Sequence, residues 1–134
     1  MKNLKIGVGM LMLIILNACS AESQPAEDGS FAKDISVAEL TIEPDWQILD
    51  VRTPGETAGG IIEGATLVNY QEIDFEKKVS DALTKDKVVL IYCAAGGRSS
   101  RAMAKLKDAG FTKLYNLEGG MGAWESAGKP VVNP

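Results

Sequence analysis

A chain of 134 residues with 14 basic and 18 acidic side chains has a formal net charge of −4. That acidic balance argues against a nucleic-acid partner and against an electrostatic hold on anionic lipid. There is no histidine and there are two cysteines, Cys19 and Cys93, which excludes a His-based triad, a Cys–His pair, a His-ligated metal site and a Cys-x-x-Cys redox cycle.

The N-terminus reads as a targeting segment. Lys2 and Lys5 precede the apolar run Ile6–Leu16, which is too short to span a hydrocarbon core of about twenty residues and has the charge-then-apolar order of a secretory signal. It ends in Leu16-Asn17-Ala18-Cys19, which resembles a bacterial lipobox. The resemblance implies a signal peptide over residues 1–18, lipidation at Cys19 and export to a bacterial membrane. Ser20, rather than an acidic residue, points to the periplasmic face of the outer membrane in a two-membrane cell. Several acyl chains on one residue would anchor stably, where one alone is marginal. The other readings of the segment are plain secretion after cleavage near Ala18 and an uncleaved anchor.

Without the signal, residues 19–134 carry 12 basic and 18 acidic side chains, a net charge of −6, and suffice for one compact domain. Residues 19–33 read as a lipidated N-terminus and polar, flexible tether spanning about 20 Å as a coil. The folded domain is expected over 34–131. Ser36-Val37-Ala38-Glu39 forms a capping box and predicts a short helix that Pro44 helps to end. Trp46–Asp50 reads as a strand, and Thr53-Pro54-Gly55-Glu56 as a helix start with proline at its first position. Ala65–Asn69 reads as a short strand, Phe75–Leu83 as a helix, and the apolar run Val88–Tyr92 as a buried parallel strand. Beyond Cys93 a helix is expected with Ala102, Leu106 and Ala109 at core spacing and Gly110 as its stop. Lys113–Leu117 is the last strand and Met121–Ala127 the last helix, stopped by Gly128 and Pro130. This alternation is the signature of an α/β domain with a mostly parallel sheet, whose ligands bind at the strands' carboxyl ends. Asp50, Arg52 and Cys93 all lie at such ends.

The stretch Cys93-Ala94-Ala95-Gly96-Gly97-Arg98-Ser99-Ser100 carries the chemistry. It places a thiol in a tight loop leading into a helix N-terminus, where backbone N–H groups and the helix dipole favour anions and lower a thiol's pKa. Gly96 and Gly97 let several amides point into one small bowl, and Arg98 adds a permanent charge of fork geometry. The bland alternative is a buried cysteine acting as a small hydrophobe.

Cys-x-x-Gly-x-Arg-Ser resembles the active-site loop of rhodanese-type sulfurtransferases. Ile48-Leu49-Asp50-Val51-Arg52-Thr53-Pro54-Gly55-Glu56 is similar to that family's Asp-Val-Arg segment, and Leu114–Trp124 to its terminal signature. The resemblance covers roughly residues 34–131. It implies a rhodanese-like α/β fold, with a mostly parallel five-stranded sheet and helices on both faces. It also implies that Cys93 attacks a small anionic sulfur donor such as thiosulfate and becomes a persulfide. Loop amides from Ala94, Ala95, Gly96, Gly97, Arg98 and Ser99 would hold the outer sulfur until a thiol or cyanide acceptor removes it. No metal and no cofactor beyond the covalent persulfide is implied.

The roles of the supporting charges stay open. Asp50 is expected to brace neighbouring loop amides. Arg52 either lines the mouth of the site or is solvated or salt-bridged. Glu56 either orients an arginine such as Arg98 or satisfies a helix dipole. Arg101 either adds to the positive field or forms a surface salt bridge, and Trp124 is expected in the core. One departure concerns Gly60–Ala65, where the family commonly reads Gly-His-Ile-Pro-Gly-Ala: Ile61 replaces the histidine and Glu63 the proline, at what would be the rim of the site. Two other functions remain on the residues alone. One is a phosphatase or arsenate reductase using the same bowl, against which the four residues between Cys93 and Arg98 speak, since phosphatases of related fold have one more. The other is a module that binds sulfur or a partner without turnover.

Overall fold

Val88–Tyr92 is the most apolar run outside the N-terminus, and it becomes the centre of the sheet. The computed structural model describes residues 26–134; the expected signal peptide, Cys19 and the start of the tether lie outside the described residues. Five strands, β1 (Phe31–Ile35), β2 (Gln47–Asp50), β3 (Ala65–Leu67), β4 (Val89–Tyr92) and β5 (Lys113–Leu117), form one sheet in the order β1-β5-β4-β2-β3, every pair parallel. All five carboxyl ends therefore share one side. Four helices accompany them: α1 (Pro54–Thr57), α2 (Phe75–Ala82), α3 (Gly97–Asp108) and α4 (Gly120–Ser126).

Both faces of the sheet are covered, which is why β4 needs apolar residues at every position rather than at alternate ones. Leu49, Val89, Ile91 and Leu114 pack on one face against Phe75 and Val79 of α2 and Ala102 and Leu106 of α3. Ile48, Leu90, Tyr92 and Leu117 pack on the other against Met121 and Trp124 of α4 and against Leu40 and Ile62. Trp124 lies in the core, 6% exposed, and its indole N–H donates to the Pro130 carbonyl. Among the described residues no helix is long and apolar enough to cross a membrane.

Two local expectations change. The capping box at Ser36 forms, with the Glu39 N–H 3.3 Å from Ser36 Oγ, but it closes a single turn rather than a helix. With Leu40 and Ile62 packed on one face of the sheet and Pro44 four residues on, the chain has no length for a second turn. The boundary expected at residue 34 also moves, because Phe31–Lys33 belong to β1. That strand is an edge with exposed Lys33 and Asp34, so its sequence lacks a strong apolar period. Tertiary contacts hold it: its parallel register with β5, and the Phe31 ring 4.7 Å from that of Tyr115.

Candidate active site

Cys93 follows β4 directly and is 2% exposed. The loop turns at Gly96, whose φ of +103° suits glycine, and a Cβ there would sit 3.3 Å from the Gly119 nitrogen. α3 starts at Gly97, so the first-turn amides of the helix have no carbonyl partner within it. The sulfur accepts the Gly96 N–H at 3.1 Å and the Ser99 hydroxyl at 3.4 Å. Burial pushes the thiol up, but hydrogen bonds from Ser99, Ala95 and Gly96 outweigh it and hold Cys93 below the ordinary thiol value. The site thus favours a thiolate with no base beside it.

Arg98 is held by Glu56. Its Nη1 lies 2.8 Å from Glu56 Oε2 and its Nη2 2.6 Å from Oε1, a two-pronged pair. The Thr53 N–H and hydroxyl both donate to Glu56 Oε2 at 2.9 Å. Arg98 and then Thr53 hold the Glu56 carboxyl down at about 2. Glu56 therefore fills both roles considered for it, since as a first-turn residue of α1 it is fastened at the helix start and also fixes Arg98.

Asp50 and Arg52 do something else. Asp50 is fully buried and Arg52 is 7% exposed. Asp50 Oδ1 accepts the Arg52 backbone N–H and Nε, each at 3.0 Å, and Oδ2 accepts Nη2 at 2.7 Å. Arg52 Nη2 also donates to the Gly60 carbonyl at 2.7 Å. Arg52 is a buried strut joining the end of β2 to the chain beyond α1, not a residue at the mouth of the site. Tyr92, which lies beneath the Arg52 guanidinium, accepts the Ile62 N–H. Ile61 is buried too, bridged on both sides to Val132, so this position packs against the C-terminal tail instead of shaping a rim. Arg101 is exposed, and among the described residues no carboxylate lies within 4.0 Å of it; the surface salt bridge expected there does not form.

Two contributors are not legible from the local pattern. Thr53 reads as a helix start, yet it also fixes Glu56. The backbone of Met121 and Gly122 bonds to the Cys93 loop itself, for which the adjacent Gly119-Gly120 is the available signal.

A family model described as a rhodanese-like domain matches residues 36–127. A sulfurtransferase of Allochromatium vinosum is 39% identical over 90 residues, covering 67% of this chain and 81% of that protein. Thiosulfate sulfurtransferase 18 of Arabidopsis thaliana is 32% identical, covering 73% and 80%. Among solved structures, a rhodanese-related protein from Thermoplasma volcanium superposes with a TM-score of 0.64 at 32% identity, covering 75% of this chain and 97% of that one. The rhodanese-like domain protein of Staphylococcus aureus gives 0.59 at 36%, covering 69% and 90%. With the family model spanning most of the chain and relatives of this identity along its folded length, the chain belongs to the rhodanese-like family.

Proposed function

We propose that this protein is a sulfurtransferase that works through a persulfide on Cys93. The observation that carries the reading is the cluster around the sulfur: a buried thiol favoured as thiolate by Gly96, Ala95 and Ser99, beside an arginine clamped by Glu56. With thiosulfate as donor, the Cys93 thiolate attacks the outer sulfur. A new S–S bond forms, the old one breaks, and sulfite leaves with the electron pair. The loop amides hold the terminal anionic sulfur of the persulfide. Cyanide or a thiolate then attacks that sulfur, carries it away and returns Cys93 as thiolate, so no outside oxidant is needed.

Charge bookkeeping narrows the donor's attraction. The Glu56 carboxylate offsets Arg98, and Asp50 offsets Arg52. Arg101, three residues after Arg98 on α3 and so close to the same helix face, supplies unneutralised positive charge for an anionic donor. The test is thiocyanate formation from thiosulfate and cyanide by the protein and by Cys93→Ser. Activity that vanishes in the variant supports the reading, and none in either folded protein overturns thiosulfate as donor.

We also propose that the chain is exported and lipid-anchored through Cys19, on the strength of the Lys2–Leu16 pattern and Leu16-Asn17-Ala18-Cys19. Fatty-acid labelling in a bacterial host that is lost in Cys19→Ser supports this, and labelling that persists overturns it.

A further inference from the structure

The catalytic loop cannot orient its own amides, because its first two peptide groups lie outside both β4 and α3. Their carbonyls are bound from elsewhere. The Met121 N–H donates to the Cys93 carbonyl at 2.8 Å and the Gly122 N–H donates to the Ala94 carbonyl at 3.1 Å. Both donors belong to the first turn of α4, where backbone N–H groups have no partner within the helix. All peptide bonds among the described residues are trans, and in a trans peptide the C=O and the following N–H point in opposite directions. Fixing the Cys93 carbonyl on the α4 side therefore turns the Ala94 N–H the other way. Fixing the Ala94 carbonyl there turns the Ala95 N–H the same way, and the neighbouring Gly96 N–H donates to the sulfur at 3.1 Å.

The approach is close enough to require glycine. A Cβ on Gly120 would lie 2.3 Å from the Cys93 carbonyl oxygen and 2.8 Å from the Ala94 carbonyl carbon, and its φ is +54°. We propose that the α4 N-terminal turn, Gly120–Gly122, is the positioning element of the active site: it holds the Cys93 and Ala94 carbonyls outward so that the loop amides face the Cys93 sulfur. The terminal sequence signature is then part of the anion bowl through its backbone. The inference rests on Cys93 being the reactive thiol, but not on which donor it meets.

Gly120→Ala tests it. The added methyl must push the two carbonyls away, turning amides out of the bowl. The readout is the pH profile of Cys93 alkylation by iodoacetamide, with thermal unfolding alongside. Gly128→Ala is the matched control, since Gly128 also has a positive φ of +71° but a Cβ there meets nothing within 4 Å. In a folded Gly120→Ala protein the alkylation profile moves to higher pH and the rate at neutral pH falls about tenfold, the worth of one hydrogen bond to a charged group. Gly128→Ala loses stability and keeps the wild-type profile. Should Gly120→Ala fail to fold, Gly122→Pro takes its place. It removes the N–H bonded to Ala94, in a first turn where that group has no helical partner, and sets the proline ring against that carbonyl, and its profile moves the same way. A folded variant of either kind with the wild-type profile overturns the proposal. The alkylation readout needs no sulfur donor, so a protein inactive with thiosulfate still decides the point.

Discussion

Ser99→Ala removes one oxygen from a fully buried position and with it the hydroxyl that donates to Cys93 Sγ at 3.4 Å. The same hydroxyl also lies 3.2 Å from the Gly96 carbonyl. With one proton to give, it is drawn to the sulfur once the thiol ionises, because hydrogen bonds to charged groups are the stronger ones. At this length the bond is worth about 1 kcal/mol, and its loss raises the thiol pKa. The Gly96 carbonyl keeps its bond from the Ser100 N–H at 3.1 Å, so the fold loses no more than about 1 kcal/mol. The assay is the ultraviolet absorbance of the thiolate followed against pH, with Cys93→Ser as the blank. The midpoint should rise while the melting temperature stays within a few degrees. A midpoint that stays put or falls, in a folded protein, would refute the account of how the thiolate is held.

Three other expectations follow from the same geometry. Arg52→Ala leaves the Asp50 carboxylate buried without its partner, a loss of about 3 kcal/mol or more, so the melting temperature should fall by more than about 10 °C while the thiolate midpoint barely moves; a stable variant with lost activity would contradict the strut role. Glu56 has a depressed carboxyl, so its ion pair with Arg98 stabilises the folded state fully above the ordinary carboxylate value of 4.5 and is lost as pH falls toward about 2. In urea unfolding, the gap between wild type and Glu56→Gln should accordingly be constant near neutrality and close in acid; a gap that widens in acid would be the wrong sign. Arg101→Glu should raise the KM for thiosulfate severalfold, more so at low salt, with kcat and melting temperature unchanged, and an unaltered KM would remove Arg101 from donor capture.

How much of this was legible depended on where each signal lay along the chain. The central strand and the loop after it declare themselves locally: Val88–Tyr92 is apolar throughout because both faces are covered, and Cys93 to Ser99 carries the glycines and arginine of an anion bowl. The Phe31–Ile35 strand was hidden because an edge strand, held by its one neighbouring strand and by side-chain contacts such as the Phe31–Tyr115 ring pair, needs no apolar period of its own. The partner of Arg52 could not be read either. A residue two positions from an aspartate can turn toward it or away, and burial settles the matter only after the chain from Pro54 to Ile61 has packed over it. Glu56 and Arg98 are 42 residues apart, and they meet because β2 and β4 are neighbours with the same direction. The hydrogen bonds from Met121 and Gly122 come from backbone, which leaves no mark except Gly119-Gly120 beside them.

The central claim is that sulfur is carried on Cys93. Intact-protein mass spectrometry after brief exposure to thiosulfate, without acceptor, measures it most directly. The account predicts a gain of one sulfur atom, about 32 Da, on the protein. That gain should be absent in Cys93→Ser and reversed by cyanide with release of thiocyanate. An unchanged mass after thiosulfate alone, in folded protein that makes thiocyanate once cyanide is added, would contradict it and place the sulfur transfer outside a Cys93 persulfide.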